Sequence, residues 1–367
     1  MRPVLLKIPA LPLLVACLIV AVIAVIRDSV PRKNKRPAFP WTSAWAIGGA
    51  VALLRFVGKY GDSGANILSN LRNGFVPIYA YGVMLGTSLV VGWFIVMSLA
   101  KQDGMDQQET GTIYMWSAIW SIIGSRVLWY FTTPSASIAD IPMINQGGLV
   151  AYGGMIGGFI ASVYCCRKRG IPLLQWADVA APSVVLGTAI TRVGCLLFGC
   201  DYGKPSNLPW AISFPAHSPA WNDHVHSRLI QDTALRSLPV HPTQVYESLV
   251  GLFLFGLLML IRRYRTFSGQ VFLGWVFGYG ILRPLIEQVR GDEDRGVAEA
   301  ASGFQLSTST VIGIVSVVLG VGLLIALIRK YRRDPDGSKL WLHPVAVAPT
   351  AVETKGQQGA SKRRKKR

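Results

Sequence analysis

Long apolar runs separated by short polar or basic stretches set the pattern of this chain. Runs long enough to cross about 30 Å of hydrocarbon occur near 9–26, 77–100, 113–131, 148–166, 175–197, 245–261, 270–289 and 309–328. Each is predicted to be a transmembrane helix, because an isolated stretch in lipid must satisfy its own backbone hydrogen bonds. A weaker stretch near 42–57 is interrupted by Arg55. Counting it gives nine spans, and the alternation then puts every basic cluster (27–36, 167–169, 262–265, 329–333 and 362–367) on the cytoplasmic side. The opening run has no small-residue cleavage site after it and reads as an uncleaved first span.

That alternation places the polar loop 199–242 outside the cytoplasm, together with 291–304. Trp210, Phe214, Trp221 and several prolines in the loop predict a small folded cap with aromatics at headgroup level. The fold class expected is an all-α polytopic membrane protein. Its parts are an N-terminal extension over 1–70 with one or two spans, a membrane domain over 71–333 that includes the cap, and a tail over 334–367. The tail is Pro-, Ala-, Gly- and Gln-rich, ends in SKRRKKR, and is expected to be disordered and held to anionic lipid by its charge.

Composition supports the membrane class: 51% of residues are hydrophobic, 15% are charged, and the mean hydropathy is +0.39. The net charge of +18 would suit nucleic acid, but the basic residues follow apolar runs instead of lining one amphipathic face. Cys17, Cys165, Cys166, Cys195 and Cys200 are too few and too embedded in apolar sequence for a disulfide framework. Cys195 and Cys200 fall near the outer face. A bridge between them is conceivable, but the residues between, Leu196, Leu197 and Phe198, read as packed helix, where i,i+5 side chains diverge, and this spacing fits free thiols better.

Ionisable side chains inside the hydrocarbon layer are functional candidates, since each costs several kcal/mol to hold there. Arg126 in IIGSRVLWYF lies near the end of its span, where snorkelling to the interface and a functional role both fit. Arg192 sits in TRVGCLLFGCDYGKP among Gly194, Gly199 and Gly203; a fixed guanidinium beside closely approachable backbone suits a phosphate. HPTQVYESL reads as a helix start at the outer interface, with His241 and Gln244 near headgroup depth and Glu247 deeper and in need of a partner. In YGILRPLIEQVR, Tyr279, Arg283, Glu287 and Arg290 fall on one helical stripe, and Arg283 can meet Glu287 within a turn. The glycine-dense QGGLVAYGGMIGGFIA suits tight helix packing or a broken, substrate-facing backbone, and brings Tyr152.

Five separated motifs, IYAYGVMLG, GGLVAYGGMIGG, TRVGCLLFGCDYG, HPTQVYES and YGILRPLIEQVR, together resemble the bacterial prolipoprotein diacylglyceryl transferase family over about residues 75–330. The resemblance implies transfer of the diacylglyceryl group of phosphatidylglycerol to the lipobox cysteine of a lipoprotein precursor, with glycerol phosphate leaving. It implies an inner-membrane enzyme of about seven core helices without metal or cofactor, its site open to the outer leaflet. Matched to the family motifs, Arg192, Arg283, Glu287 and Tyr152 are the expected catalytic residues. Tyr81, Arg126, Gly203, His241, Gln244, Glu247 and Tyr279 are expected to bind substrate.

Three positions depart from the family pattern: Tyr152 replaces a histidine, Cys195 an asparagine and Cys200 a glutamate. Arg192 and Arg283 are expected to hold the phosphate, and Glu287 to fix Arg283. Tyr152, or Glu247 in its stead, is expected to take the thiol proton. Lipid binding without turnover and lipid transport are the competing readings; a transporter of repeated halves would show similarity between the spans before and after residue 200, and none is visible.

Overall fold

The computed structural model describes residues 4–9, 75–133, 148–291, 297–299 and 305–341. Among these residues the chain is built of α1 (Ala80–Gln102), α2 (Gln107–Thr132), α3 (Ala151–Arg169), α4 (Leu173–Phe198), a short α5 (Pro219–His226), α6 (Thr243–Tyr264), α7 (Gln270–Glu287) and α8 (Thr308–Arg333). Two small antiparallel ribbons accompany them, β1 (Val4–Pro9) with β2 (Phe75–Tyr79) and β3 (Val297–Glu299) with β4 (Gln305–Ser307). Seven of the expected spans coincide with helices. The runs near 10–26 and 42–57 lie outside the described residues.

The chain divides into two compact units, Met1–Val83 and Met84–Arg367. In the first, β1 pairs with β2 so that Val4 faces Tyr79 and Pro9 faces Phe75, with a register shift between Val4 and Leu6. In the second, four helical segments combine the length and apolarity to cross a membrane: Ala80–Gln102, whose first residues belong to the other unit, Leu173–Phe198, Thr243–Tyr264 and Ser309–Arg333. Their outward faces carry large apolar groups such as Phe94, Phe253, Val318 and Leu319, each more than half exposed to surroundings that only lipid satisfies. The protein is a membrane protein.

Glycine sets the closest helix crossing. A side chain at Gly153 would run into the backbone of Gly124, and one at Gly154 into Ser125 Oγ at 2.6 Å, so α2 and α3 meet backbone to backbone. The glycine-dense motif therefore packs helices, with no break in α3. A second close approach brings α6 onto α4, where a Cβ on Gly251 would lie 2.9 Å from that of Ala189 and Ser248 Oγ donates to Ala189 O at 3.0 Å. This crossing holds the start of α6 beside the end of α4, which is where the ionisable residues gather.

The opposite ends of α4, α6 and α7 are tied by a second buried charge cluster. Asp103, just beyond α1, accepts from Arg262 (2.5 and 3.3 Å) and from Arg265 (2.6 and 3.1 Å). Asp178 of α4 accepts from the backbone N–H groups of Gly269 (2.7 Å) and Phe272 (2.9 Å), capping α7, whose own first turn has no acid. Arg265 also stacks on Trp341 at 4.0 Å, and Ser268 exchanges backbone and side-chain bonds with Ser338 and Leu340. Two sequence expectations change here. Arg262 and Arg265 are ion-paired groups inside the fold as well as markers of topology, and residues 334–341, assigned to the disordered tail, form turns packed on the loop after α6.

Residues 199–242 fold as a cap around buried Tyr202, Phe214, Ala220 and Val240. Tyr202 donates to Asp223 (2.8 Å), Trp221 donates to Ala234 O (2.7 Å), and Ser218 caps α5. Three extended segments cross at Gly203, which bridges to Arg290 and whose N–H donates to His241 O (3.0 Å). A Cβ there would come within 2.7 Å of His241 O and 2.8 Å of Val289 O. Glycine is needed for that crossing, which makes Gly203 a packing residue of the site's wall.

Candidate active site

The C-terminal ends of α4 and α7 and the N-terminal ends of α3, α6 and α8 meet at one end of the helix group. Glu247, buried in the first turns of α6, is the centre of what they bring. One carboxylate oxygen pairs with Arg192 Nε of α4, and the other accepts from Arg283 of α7 at 2.5 Å, with Arg290 at 3.5 Å. Asp201, two residues past the αL cap Gly199, accepts from Arg192 at 2.5 Å and pairs with Arg290. Arg283 Nη2 reaches Glu287 one turn on at 3.4 Å. Three guanidiniums and three carboxylates thus share one partly buried network. Alternating signs are what make such a cluster tolerable away from water.

The cap is stitched to this network through main-chain carbonyls: Thr243 Oγ1 donates to Asp201 O and Gln244 Nε2 to Cys200 O, both at 2.6 Å. Gln244 Oε1 is buried and accepts no hydrogen bond among the described residues. Trp210 donates to Tyr246 at 2.8 Å, and Tyr246 lies 3.4 Å from His241 Nδ1. A cavity opens against Glu247, Tyr279, Arg283 and Thr188 on its polar side and Val185, Val250, Leu254 and Trp275 on its apolar side. The cavity is small, about 30 Å³, and its lining sets charged groups beside hydrocarbon.

Burial works to raise the pKa of Asp201, but Arg192 and Arg290 outweigh it and hold this carboxyl below the usual carboxylate range. A depressed folded pKa gives stability that is present above the unfolded value near 3.9 and is lost only as pH falls through the lower, folded one. Hydrogen exchange at the Gly203 amide, followed between pH 7 and pH 3, is therefore expected to stay slow relative to the intrinsic rate until the pH drops below about 4. Opening of the cap near pH 6 would contradict it.

The sequence-derived residues do not all meet in one place. Arg192, Glu247, Arg283 and Glu287 meet directly. Tyr152, at the start of α3, lies within electrostatic reach of Tyr279, Arg283 and Glu287 and shares a side-chain hydrogen bond with Ser309 of α8. Gly203, His241 and Gln244 form the wall between cap and helices. Arg126 is buried at the same end of α2, where it donates to Gly148 O at 2.9 Å and stacks on Trp129 at 4.0 Å; it is not a snorkelling residue. Tyr81 belongs to the unit Met1–Val83.

Some expectations shift. The tightest partner of Arg283 is Glu247, and Glu287 is the looser one. Helix α7 ends at Glu287, so Arg290 arrives from the extended segment bridged to Gly203 and not from a continuing helical stripe. Pro242 is the N-cap of α6, one place earlier than a first helical position. Asp201 went unnoticed because a single acid in a polar loop reads as solvated. The available signal was Arg290, a cation with no assigned counter-ion.

Comparison with known proteins shows the family. The family model described as prolipoprotein diacylglyceryl transferase matches residues 67–326. A phosphatidylglycerol--prolipoprotein diacylglyceryl transferase from Clostridium tetani is 31% identical over 67% of this chain and 92% of its own length. Proteins of the same name from Finegoldia magna (29%, over 71% of this chain and 93% of the relative) and Thermus thermophilus (32%, over 59% and 80%) are similar as well. The cap, the arginine–carboxylate network and the helices up to the last turns of α8 fall within the matched span, and the chain belongs to the prolipoprotein diacylglyceryl transferase family.

Proposed function

We propose that this chain transfers the diacylglyceryl group of phosphatidylglycerol to the lipobox cysteine of prolipoproteins, the first step of lipoprotein maturation. One observation carries the reading at residue level: Arg192 and Arg283, from different helices, converge on the single carboxylate of Glu247 at the edge of an amphipathic cavity. A thiolate attacks the glycerol carbon that bears the phosphate, a C–S bond forms, the C–O bond breaks, and glycerol phosphate departs with the electron pair. Charge on the departing phosphate oxygen is met by guanidiniums already in place, in a site with little water to reorganise. The bonds from Arg283 to Glu287 at 3.4 Å and from Arg290 to Glu247 at 3.5 Å are the loosest links in the network, so they are the ones an arriving phosphate displaces at least cost.

Topology supports a site open to the outer leaflet of the bacterial inner membrane. Basic residues close α1 (Lys101), α3 (Arg167, Lys168, Arg169), α6 (Arg262, Arg263) and α8 (Lys330, Arg332, Arg333), all at the end away from the network. Positive termini stay cytoplasmic, which leaves the network and the cap outside and the C-terminus inside, its basic 362–367 near anionic lipid. Precursor signal peptides reach the site from the membrane.

Tyr152 takes the place of a histidine at the start of α3, beside Arg283 and Glu287, and its hydroxyl is placed to relay the thiol proton. Tyr152→Phe is expected to lower turnover about a hundredfold, the lower end of what a positioned proton-transfer group contributes, with little effect on lipid binding. Mass spectrometry of a lipobox peptide incubated with purified protein and phosphatidylglycerol reads the product directly. Stoichiometric lipid binding with no thioether peptide and no glycerol phosphate would reduce the protein to a lipid binder.

A further inference from the structure

Cys195 and Cys200 lie inside the network but take no part in the mechanism above. Cys195 is buried in the last turn of α4; Cys200 is partly exposed, just past Gly199. The helix does not continue between them. Gly199, at φ 88°, turns the chain back, and the N–H groups of Gly199 and Cys200 both donate to Cys195 O (2.8 and 3.2 Å). The turn folds Cys200 over Cys195, so that their sulfurs lie within 4.8 Å of each other and of Asp201. The sequence-based argument for divergence fails for this reason.

We propose that Cys195 and Cys200 form a disulfide in the working protein, a covalent staple across the turn that carries Asp201 to Arg192. Bond formation needs the sulfurs to close to about 2.05 Å, a movement of under about 3 Å that χ1 rotation of the partly exposed Cys200 can supply. The Cys200 thiolate attacks a disulfide of an extracytoplasmic thiol oxidant, forming a mixed disulfide and releasing one oxidant thiol. The Cys195 thiolate then displaces the second. Two thiols lose two protons and two electrons, and the oxidant's disulfide becomes a dithiol. The compartment rests on the topology proposed above: only on the outer face is such an oxidant in excess.

The staple also accounts for the two departures at these positions. They occur together because the residues are contact partners, and a covalent link replaces the polar pair that the family pattern has there. A thiophilic cation held by the two sulfurs and Asp201 is the alternative occupant, but Asp201 is already engaged by Arg192 and Arg290, and three guanidiniums oppose a further cation.

Trypsin cuts after Arg192 and Arg228 and leaves the Lys204–Pro205 bond intact, so one peptide, 193–228, contains both residues and no other cysteine. From full-length protein whose thiols are trapped in acid, this peptide is expected two hydrogens lighter than the reduced form and unalkylated until a phosphine is added, whereas Cys165 and Cys166 alkylate on denaturation. Full alkylation of 193–228 without reductant, or a stoichiometric metal with reduced thiols, would overturn the proposal. The phosphine is also expected to slow transfer by about tenfold or more, the scale of a slightly misplaced reacting group, while Cys195→Asn/Cys200→Glu transfers equally with and without it. A wild type indifferent to the phosphine would sink the working role. The peptide mass needs no activity, so it stands or falls separately from the transferase reading.

Discussion

Arg192→Ala and Arg283→Ala are each expected to abolish diacylglyceryl transfer, by about 10²–10³-fold or more, while the protein still inserts and binds detergent as wild type. The size follows from two losses. A missing guanidinium takes away a preorganised donor to the developing phosphate charge, worth about 3–4 kcal/mol when a comparable donor is removed elsewhere. It also leaves Glu247 with an uncompensated share of charge in a buried setting, a further cost of a few kcal/mol. Lysine at either place keeps the charge but not the fork. Arg192 uses Nε on Glu247 and Nη1 on Asp201, and Arg283 uses Nη1 on Glu247 and Nη2 on Glu287, and no single ammonium spans two carboxylates in that way. Arg283→Lys is therefore expected to remain at least about tenfold slow. Release of glycerol phosphate from labelled lipid measures all of these, and wild-type turnover by Arg283→Ala would remove the phosphate clamp from the mechanism.

Much of this was legible beforehand, because lipid imposes a simple code. Twenty apolar residues must be a helix in hydrocarbon, so the hydropathy pattern placed seven helices and the loop that became the cap. The intramembrane charges were legible for the same reason: Glu247, Arg192 and Arg283 have no cheap explanation at that depth. The pattern does not say which charge answers which. Glu247 needed a partner and has three. Arg283 was paired with its neighbour on the helix, Glu287, because sequence spacing shows only neighbours, whereas its tighter partner comes from α6.

Helix ends were the other blind point. A glycine in the left-handed region at 199 and the end of α7 at Glu287 each turn the chain toward the site, and they bring in Cys200, Asp201 and Arg290. No periodicity reports that. The pairing within 262–265 was hidden for a different reason, since a basic cluster after an apolar run satisfies the topology rule whether or not its arginines are paired.

Asp103→Ala is expected to be the most destabilising single substitution at the end remote from the site. Asp103 is almost fully buried and is the shared acceptor of Arg262 and Arg265, so its removal leaves two guanidiniums facing each other with Asp178 alone nearby, 3.9 Å from Arg265. Breaking a buried pair by deleting one partner costs about 3–5 kcal/mol; on a unit of this size that lowers the melting temperature by about 10 °C, read by thermal unfolding in detergent. Asp103→Asn keeps the shape and one acceptor oxygen, and is expected to recover part of the loss. Transfer should suffer too, though Asp103 is nowhere near the lipid. Asp178 and Arg192 lie on one helix about fourteen residues, or roughly 21 Å, apart, so the two charge clusters grip opposite ends of α4, α6 and α7. Loosening the far grip lets the near ends drift, and a drift of 1 Å between Arg192 and Arg283 is enough to cost about a hundredfold in rate. If Asp103→Ala melted early but transferred normally at low temperature, the two ends would be energetically independent, and the network at Glu247 would be holding its own geometry unaided.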